Sequence, residues 1–386
     1  MNIKETDGKY IAHSYGRFDV ALINGKGSTA YDENGKEYID FGSGIGVTAF
    51  GFCDEEWKKA VEEQLTKLQH TSNLYYTEPC AKLAELLCNK SGMKKVFFAN
   101  SGAEANEGAI KFARKYSANK YSADRHTIIT LVNSFHGRTI TTLAATGQDV
   151  FHESFLPLTE GFKYCPANDI EALNSMITDD VCAIMFECVQ GEGGVNSLDC
   201  EFVKEIKKIA KEKDILMICD EVQTGNGRTG KYFAYENFGI MPDIVSTAKG
   251  LAGGLPMGAV LFGEKVKDIV TPGSHGSTFG GNPVCAAGAV SIVSRIDDKF
   301  LEAVSDKSKY IINFLSGVNG VKSVSGMGLM LGIETEKSAK DIANECLEQG
   351  LLVLTAKTKV RLLPALNISY EELDKGLKIL KEIIEK

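Results

Sequence analysis

The stretch DIVSTAKGLAGGLP, residues 243–256, decides the fold and raises the first question about function. Residues 243–248 form a short apolar run that predicts a buried strand, and the glycines after it allow the backbone to turn sharply. Between the two lies one lysine, Lys249. A lysine at a strand end is ordinarily a surface residue whose ammonium reaches water. The alternative is that Lys249 belongs to a binding site.

Composition bounds the class of protein. The chain has 386 residues, of which 44% are hydrophobic and 24% charged, values typical of soluble globular proteins. A formal charge of −8 without a basic stripe argues against a nucleic-acid partner. The first residues lack the apolar core of a signal peptide, and no apolar run approaches the roughly 18 residues of a membrane span. The sequence therefore predicts a cytoplasmic protein without a membrane partner.

The cysteines and histidines give no metal signature. The ten cysteines include no C-x-x-C pair, and the six histidines include no H-E-x-x-H spacing. We therefore expect reduced, mostly buried thiols and no metal. His136 is expected to pack beside the site rather than to bind an ion.

The middle of the chain alternates short apolar runs with amphipathic stretches. This pattern predicts an α/β domain with a mostly parallel central sheet and crossover helices. The predicted strands are 95–99, 127–132, 181–187, 215–220, 244–247 and 259–262. The predicted helices are 54–68, capped by Asp54, 79–89, opened by Pro79, and 104–116, 169–177 and 201–213.

The two ends of the chain have different patterns. After about residue 290, helices at 292–315, 339–349 and 370–384 with strands at 329–333 and 360–363 predict a smaller α+β domain. Hairpin character with turns at Asn24-Gly25 and Asn34-Gly35 marks the beginning. We expect an N-terminal segment, 1–45, that packs with the small domain, a large α/β domain, 46–290, and a small domain, 291–386.

Three polar groups follow apolar runs, where open parallel sheets bind ligands. Ser101 and Glu104 fit a capping box at a helix start whose free N–H groups could bind an anion, although an ordinary helix start has the same pattern. Asp220 ends a wholly apolar strand and needs a cationic or hydrogen-bonding partner, which a structural ion pair or a ligand could supply. Lys249 is the third group.

Together, the three groups are those that pyridoxal 5′-phosphate needs for its phosphate, its ring nitrogen and its aldehyde. Enzymes that use this cofactor attach its aldehyde to a lysine, bind its phosphate, and hold its ring nitrogen protonated with an acid. An incoming amine displaces the lysine, which is then free to move a proton.

Six motifs in this order resemble those of class III aminotransferases of the fold type I pyridoxal phosphate superfamily, and most closely the acetylornithine aminotransferases. They are NSGAEAN at 100–106, SFHGRT at 134–139, ECVQGE at 187–192, DEVQTG at 220–225, KG at 249–250 and GSTFGGNP at 276–283. The resemblance covers nearly the whole chain.

The resemblance implies the cofactor contacts. They are Ser101, Gly102, Ala103, Phe135, Asp220, Glu221, Val222, Gln223, Lys249 and Thr278. Asp220 would pair with the ring nitrogen and Lys249 would carry the cofactor, these two being the catalytic residues. Gly102 and Ala103 would hold the phosphate. Phe135 would stack on one face of the cofactor ring and Val222 would press on the opposite face. Gln223 would lie near the phenolic oxygen. Thr278 would reach the phosphate of the other subunit, so a homodimer with sites at the interface is implied.

The resemblance also implies the substrate contacts. Arg138 would bind the carboxylate of an acylated diamine and Arg361 the α-carboxylate of glutamate, since guanidinium groups pair bidentately with carboxylates. Glu192 would pair with Arg361 when glutamate is absent, and Ser277 and Tyr15 would line the pocket.

The implied activity transfers the terminal amine of N2-acetyl-L-ornithine to 2-oxoglutarate, as in arginine biosynthesis. The products would be N-acetyl-L-glutamate 5-semialdehyde and L-glutamate. The chain has Gly51-Phe52 and Pro364-Ala365 where many relatives have Gly-His and a second proline. Ornithine, succinylornithine, 4-aminobutyrate, putrescine and succinyl-diaminopimelate therefore stay open as alternative amine donors.

Two features bear on other classes of protein. The stretch GNGRTG at 225–230 spells the glycine pattern of a nicotinamide-dependent oxidoreductase, but Asp220 and Glu221 precede it and no apolar helix follows. A non-catalytic relative would be expected to lack Lys249 or Asp220, and both are present.

Overall fold

The structure, a computed structural model, describes residues 2–386. The helices are α1 Ile3–Tyr10, α2 Ser43–Gly46, α3 Glu55–Leu65, α4 Glu78–Ser91, α5 Gly102–Lys120, α6 Ile140–Ala145, α7 Ile170–Met176, α8 Cys200–Lys213, α9 Pro283–Arg295, α10 Asp298–Leu315, α11 Ala339–Glu348 and α12 Tyr370–Glu385. The strands are β1 Leu22–Lys26, β2 Thr29–Asp32, β3 Glu37–Asp40, β4 Lys95–Ala99, β5 Thr127–Leu131, β6 Phe162–Cys165, β7 Val181–Phe186, β8 Val189–Gln190, β9 Asn196–Ser197, β10 Leu216–Asp220, β11 Ile244–Thr247, β12 Gly258–Phe262, β13 Val321–Met327, β14 Met330–Thr335, β15 Leu351–Leu352, β16 Leu354–Ala356 and β17 Lys359–Leu362.

A seven-stranded sheet in the order β4-β12-β11-β10-β7-β5-β6 forms the centre of the molecule. All its strands run parallel except β12, which pairs antiparallel with both β11 and β4. The carboxyl ends of the six parallel strands therefore lie at one edge of the sheet, and the predicted α/β fold with a mostly parallel sheet is confirmed.

Both faces of this sheet are covered by helices. Leu216 and Ile218 of β10 belong to the same apolar cluster as residues of α5, whereas Met217 and Cys219 belong to the cluster that contains residues of α8. Successive residues of a strand point to opposite faces, so α5 and α8 lie on opposite sides. Because helices bury both faces of the sheet, the central strands are continuous apolar runs in the sequence.

The ends of the chain form two further sheets. Strands β13, β14, β17 and β16 make an antiparallel sheet in that order, and β1, β2, β3 and β15 make another. In the second sheet Leu351 pairs in parallel with Ile39, so segments from opposite ends of the chain lie side by side. The pairing supports the proposed packing of segment 1–45 with the small domain, while the boundaries at 45/46 and 290/291 stay predictions.

Several elements differ from the prediction: α9 begins at Pro283 rather than at 292, and β13 was not predicted. Strand β6 was missed. The helix predicted at 292–315 is two helices, because Asp297 caps a new one by accepting a hydrogen bond of 2.8 Å from the Phe300 N–H. Asn24-Gly25 is not a turn but lies within β1, and the chain reverses instead at Gly27, whose φ is +58°.

The GNGRTG stretch has a structural role. It is followed by a short 3-10 helix, Ala234–Phe238, rather than by an α-helix. The Arg228 guanidinium within it is buried and donates hydrogen bonds to the carbonyls of Leu329 and Pro364. This loop therefore attaches the central part of the chain to the C-terminal part.

Half of the thiols are buried, fewer than the mostly buried set that the sequence predicts. All ten cysteines are free; Cys165, Cys182, Cys188, Cys219 and Cys346 are buried, and Cys53 and Cys200 are exposed. Within residues 2–386, none of the helices combines the length and the apolar character that crossing a membrane requires.

Candidate active site

The carboxyl ends of five parallel strands open onto one cavity of about 390 Å³. Asn100 follows β4, Phe135 follows β5, Glu187 follows β7, Asp220 ends β10 and Lys249 follows β11, and all five line the cavity. The strand order of the sheet thus brings together residues that are up to 149 positions apart along the chain.

The beginning of α5 forms one wall of the cavity. Ser101 caps this helix by accepting a hydrogen bond of 3.1 Å from the Glu104 N–H. A Cβ on Gly102 would lie 2.6 Å from Cγ1 of Val222, so only glycine allows the helix start to approach this close. The unpaired N–H groups and the positive end of the helix dipole make this wall suitable for an anion such as a phosphate.

Asp220 lies opposite and is held by three donors. Its Oδ2 accepts hydrogen bonds of 2.7 Å from Asn106 Nδ2 and from His136 Nδ1, and its Oδ1 accepts one of 3.0 Å from the Val222 N–H. These three donors fix the orientation of the carboxylate. Because a carboxylate only accepts, His136 must carry a proton on Nδ1.

Lys249 lies in the cavity wall with a strained backbone. Its φ is +47°, in the left-handed region that residues other than glycine seldom adopt. The side chain keeps some accessible surface at the cavity, but the surrounding protein desolvates the amine and lowers its pKa to about 8, a lowering that Glu192 opposes and Arg361 reinforces. An amine with this pKa is partly neutral at pH 7 to 8 and can act as a nucleophile or a base.

An ion pair lies beside the cavity. Arg361, in β17, is buried and its Nη1 donates a hydrogen bond of 2.6 Å to Oε1 of Glu192. Gln223, which lines the cavity, connects to both, at 3.3 Å from Arg361 Nη1 and 3.4 Å from Glu192 Oε1. Burial opposes ionisation of Glu192, but Arg361 outweighs it and lowers the pKa of the carboxyl group. Arg361 Nε is buried without a partner, which leaves a donor for another carboxylate.

Nine of the residues implied by the resemblance line the cavity. They are Ser101, Gly102, Ala103, Phe135, Arg138, Asp220, Val222, Gln223 and Lys249. The Arg138 guanidinium lies 4.2 Å from the ring centroid of Phe151, and among residues 2–386 it forms no ion pair.

Glu221 is the one implied cofactor contact at the end of β10 that does not line the cavity. The structure places it outside the cavity lining, buried, where its carboxylate accepts hydrogen bonds of 2.5 Å from the Thr224 hydroxyl and 2.9 Å from the Tyr235 N–H. Burial raises its pKa to about 7.

Three other residues lie away from the cavity in the isolated chain. Ser277 Oγ accepts a hydrogen bond of 3.0 Å from Asn100 Nδ2, which places it next to the lining. Thr278 is exposed and Tyr15 is 74% exposed, and neither lines the cavity.

Two functional candidates were missed by the sequence analysis. Asn106 lies one turn after Gly102 on the same face of α5, so helical spacing was the available signal. Glu187 follows its strand much as Asp220 ends its own, and its Oε2 accepts a hydrogen bond of 3.1 Å from the Phe135 N–H. Burial and the charge of Asp220 raise the pKa of Glu187 well above its usual value.

These features fit pyridoxal phosphate. A cradle that a Cβ would fill, a carboxylate with three donors and an amine of lowered pKa surround one cavity, and they complement a phosphate, a cationic ring nitrogen and an aldehyde.

Comparisons with known proteins give the same assignment. The profile of the family "Aminotransferase class-III" matches residues 10–384. The chain is 53% identical to an acetylornithine aminotransferase of Haemophilus ducreyi over 99% of this chain and 98% of that protein. It is 46% identical to one of Caldanaerobacter subterraneus over 97% of each.

Two solved structures have the same fold. The ornithine aminotransferase of Toxoplasma gondii has a TM-score of 0.94 at 30% identity, over 99% of this chain and 94% of that one. An N-acetylornithine aminotransferase of Stenotrophomonas maltophilia has a TM-score of 0.85 at 36% identity, over 98% of each chain. The chain therefore belongs to the class III aminotransferase family and is a pyridoxal phosphate-dependent transaminase.

Proposed function

We propose that this chain transfers the terminal amino group of N2-acetyl-L-ornithine to 2-oxoglutarate, giving N-acetyl-L-glutamate 5-semialdehyde and L-glutamate. Curated relatives at 42–53% identity carry the name acetylornithine aminotransferase. The observation that carries the proposal is the pair of arginines beside Lys249, one without an acidic partner and one paired with Glu192. Two cationic sites fit a reaction whose two substrates both carry carboxylates. The arginine-biosynthetic role and the cytoplasmic location follow the same assignment.

The cofactor site is proposed as follows. The start of α5, with Ser101, Gly102 and Ala103, holds the phosphate, and Asp220 holds the ring nitrogen. Bound pyridoxal phosphate supplies a conjugated ring that accepts electron density from the substrate. The amine of Lys249 binds the cofactor covalently and, when released, takes or gives a proton at its Nζ, for which a pKa of about 8 is suited.

Substrate recognition is proposed to divide between the two arginines. Arg138, without an acidic partner, binds the carboxylate of the acylated amine donor. Arg361 binds the α-carboxylate of glutamate or 2-oxoglutarate after Glu192 moves aside, and Glu192 covers it again when the amine donor enters. This exchange allows the part of the cavity beside Arg361 to accept in turn the reacting end of the amine donor, which has no carboxylate, and that of glutamate, which has one.

A panel of amine donors tests the substrate. We expect kcat/KM with 2-oxoglutarate to be highest for N2-acetylornithine, followed by succinylornithine, and lower for ornithine, 4-aminobutyrate, putrescine and succinyl-diaminopimelate. A free diamine or ornithine that exceeds acetylornithine would overturn the assignment. Initial-rate lines should be parallel, because the amino group stays on the enzyme between the two half-reactions.

The variant Arg138→Gln sharpens the test. It should lower kcat/KM for acetylornithine by about tenfold or more, since hydrogen bonds between charged groups contribute about 1.5–3 kcal/mol. It should leave putrescine, which has no carboxylate, nearly unchanged. Arg17→Gln, at an exposed surface ion pair, is the matched control.

We propose that two copies of the chain form a homodimer through a surface beside the active site. Leu74 is 88% and Phe279 is 60% exposed, and Asn73 ties their two loops together by donating hydrogen bonds of 2.9 Å to the carbonyls of Ser277 and Gly280. Adjoining exposed apolar side chains are typical of protein interfaces. A second copy seated there would receive Thr278 at its phosphate site.

Sedimentation equilibrium tests the dimer. The wild type should have twice the 41.9 kDa mass of one chain. Leu74→Asp should dissociate it and weaken cofactor binding, whereas Met241→Asp, at another exposed apolar position, should change neither. A wild type that sediments as one chain would contradict the proposal.

A further inference from the structure

The hydrogen bonding of Asn106 is not explained by the fold alone. Asn106 is 1% exposed in α5, and its Nδ2 donates two hydrogen bonds of 2.7 Å, one to the His136 carbonyl and one to Oδ2 of Asp220. Both partners only accept hydrogen bonds, so the amide must present its NH₂ group to them. Its Oδ1 is left buried without a partner.

A buried, unsatisfied carbonyl oxygen is unfavourable and needs an explanation. An apolar residue at position 106 would avoid it, but would leave Asp220 with one donor fewer on Oδ2. The arrangement thus gives Oδ2 of Asp220 a second donor and leaves Oδ1 of Asn106 unpaired. Besides Asp220, the titratable and charged groups that line this cavity are His136, Arg138, Glu187 and Lys249.

We propose that Asn106 is a positioning residue for the cofactor: its amide donates to the Asp220 carboxylate and fixes it in the orientation that keeps the ring nitrogen of pyridoxal phosphate protonated. The inference rests on the proposed role of Asp220. Asn106 also lines the cavity, and it acts through Asp220 and, by its second hydrogen bond, through the loop that carries Phe135 and His136.

The consequence is measurable in the bound cofactor. A positive ring nitrogen disfavours a second positive charge elsewhere in the conjugated system, including the nitrogen that joins the cofactor to Lys249. If Asp220 loses a donor, the ring proton is held less firmly and the joining nitrogen should keep its proton to higher pH. The midpoint of the pH-dependent change in visible absorbance should then rise.

The experiment uses the holoenzyme with the variants Asn106→Ala and Asn106→Val. Both lack the donor, but valine fills more of the space and excludes a water that could replace the amide. We expect the absorbance midpoint to rise by about one pH unit, since a hydrogen bond to a charged group contributes about 1.5 kcal/mol and 1.36 kcal/mol corresponds to one unit. The affinity of the apoenzyme for pyridoxal phosphate should also fall.

Two further variants make every outcome decisive. Asn119→Ala, at an exposed position of α5, should leave the midpoint unchanged. Asp220→Asn should raise it more than either Asn106 variant. If Asp220→Asn shifts the midpoint and the Asn106 variants do not, Asn106 only holds the loop and the inference is wrong. If Asp220→Asn causes no shift, the proposed role of Asp220 fails first.

Discussion

Arg361 Nη1 donates a hydrogen bond of 2.6 Å to Oε1 of Glu192, across 169 positions of the chain. A dicarboxylate substrate must displace Glu192 to reach this guanidinium. The internal carboxylate is therefore a competitor of 2-oxoglutarate for Arg361.

Glu192→Gln should remove that competition. The KM for 2-oxoglutarate should fall by about tenfold, because a hydrogen bond between charged groups contributes about 1.5 kcal/mol or more. The KM for acetylornithine should rise, because an unpaired buried guanidinium then faces the cationic amine donor. Steady-state rates with each substrate varied in turn measure both.

Glu205→Gln is the control for this prediction, since Glu205 pairs with Lys208 on the surface of α8. It should change neither KM. An increased KM for 2-oxoglutarate in Glu192→Gln would mean that Glu192 helps to bind this substrate rather than competing with it.

Much of the central sheet could be predicted because its strands are buried on both faces. Residues 215–220 are wholly apolar up to Asp220, and β10 follows them closely. Strand β6 was not predicted because it lies at the sheet edge, where Lys163 and Tyr164 interrupt the apolar run. The break between helices α9 and α10 was not predicted because the residues there, Ile296 and Asp297, include neither glycine nor proline.

The site residues that could be predicted from the sequence are those that lie at the ends of predicted strands. Asp220 and Lys249 follow apolar runs, and this position alone places them at the ligand edge. The pairing of Arg361 with Glu192 came only from the resemblance, because no local pattern joins residues so far apart. Thr278 and Tyr15 lie outside the cavity of one chain, so their proposed contacts depend on a second subunit or on substrate.

Gly102→Ala should weaken cofactor binding. The added Cβ would lie 2.6 Å from Cγ1 of Val222, a branched side chain with few alternative rotamers, so either Val222 or the helix start must shift. Overpacking of this kind costs about 1–3 kcal/mol, so the dissociation constant of pyridoxal phosphate should rise about tenfold or more. Fluorescence titration of the apoenzyme measures it.

Gly317→Ala is the matched control, since its Cβ would meet only the Phe314 carbonyl at 3.9 Å. This variant should bind the cofactor as the wild type does. A Gly102→Ala enzyme with unchanged affinity would show that the start of α5 tolerates a side chain and does not enclose the phosphate.

The buried amine of Lys249 should make the apoenzyme less stable below pH 8. Desolvation lowers its pKa from 10.5 to about 8, and this difference corresponds to at most about 3 kcal/mol. Below pH 8 the lysine is protonated in both states and the folded state bears the full cost. Between pH 8 and 10.5 the unfolded state binds more protons, so stability rises with pH and the cost disappears.

Lys249→Met should therefore be more stable than the wild type at pH 7, and the difference should shrink as the pH rises towards 10. Urea unfolding of the two apoenzymes at pH 7, 8, 9 and 10 measures it, with the exposed Lys322→Met as control. A difference that stays constant with pH would place the cause in packing rather than in the charge.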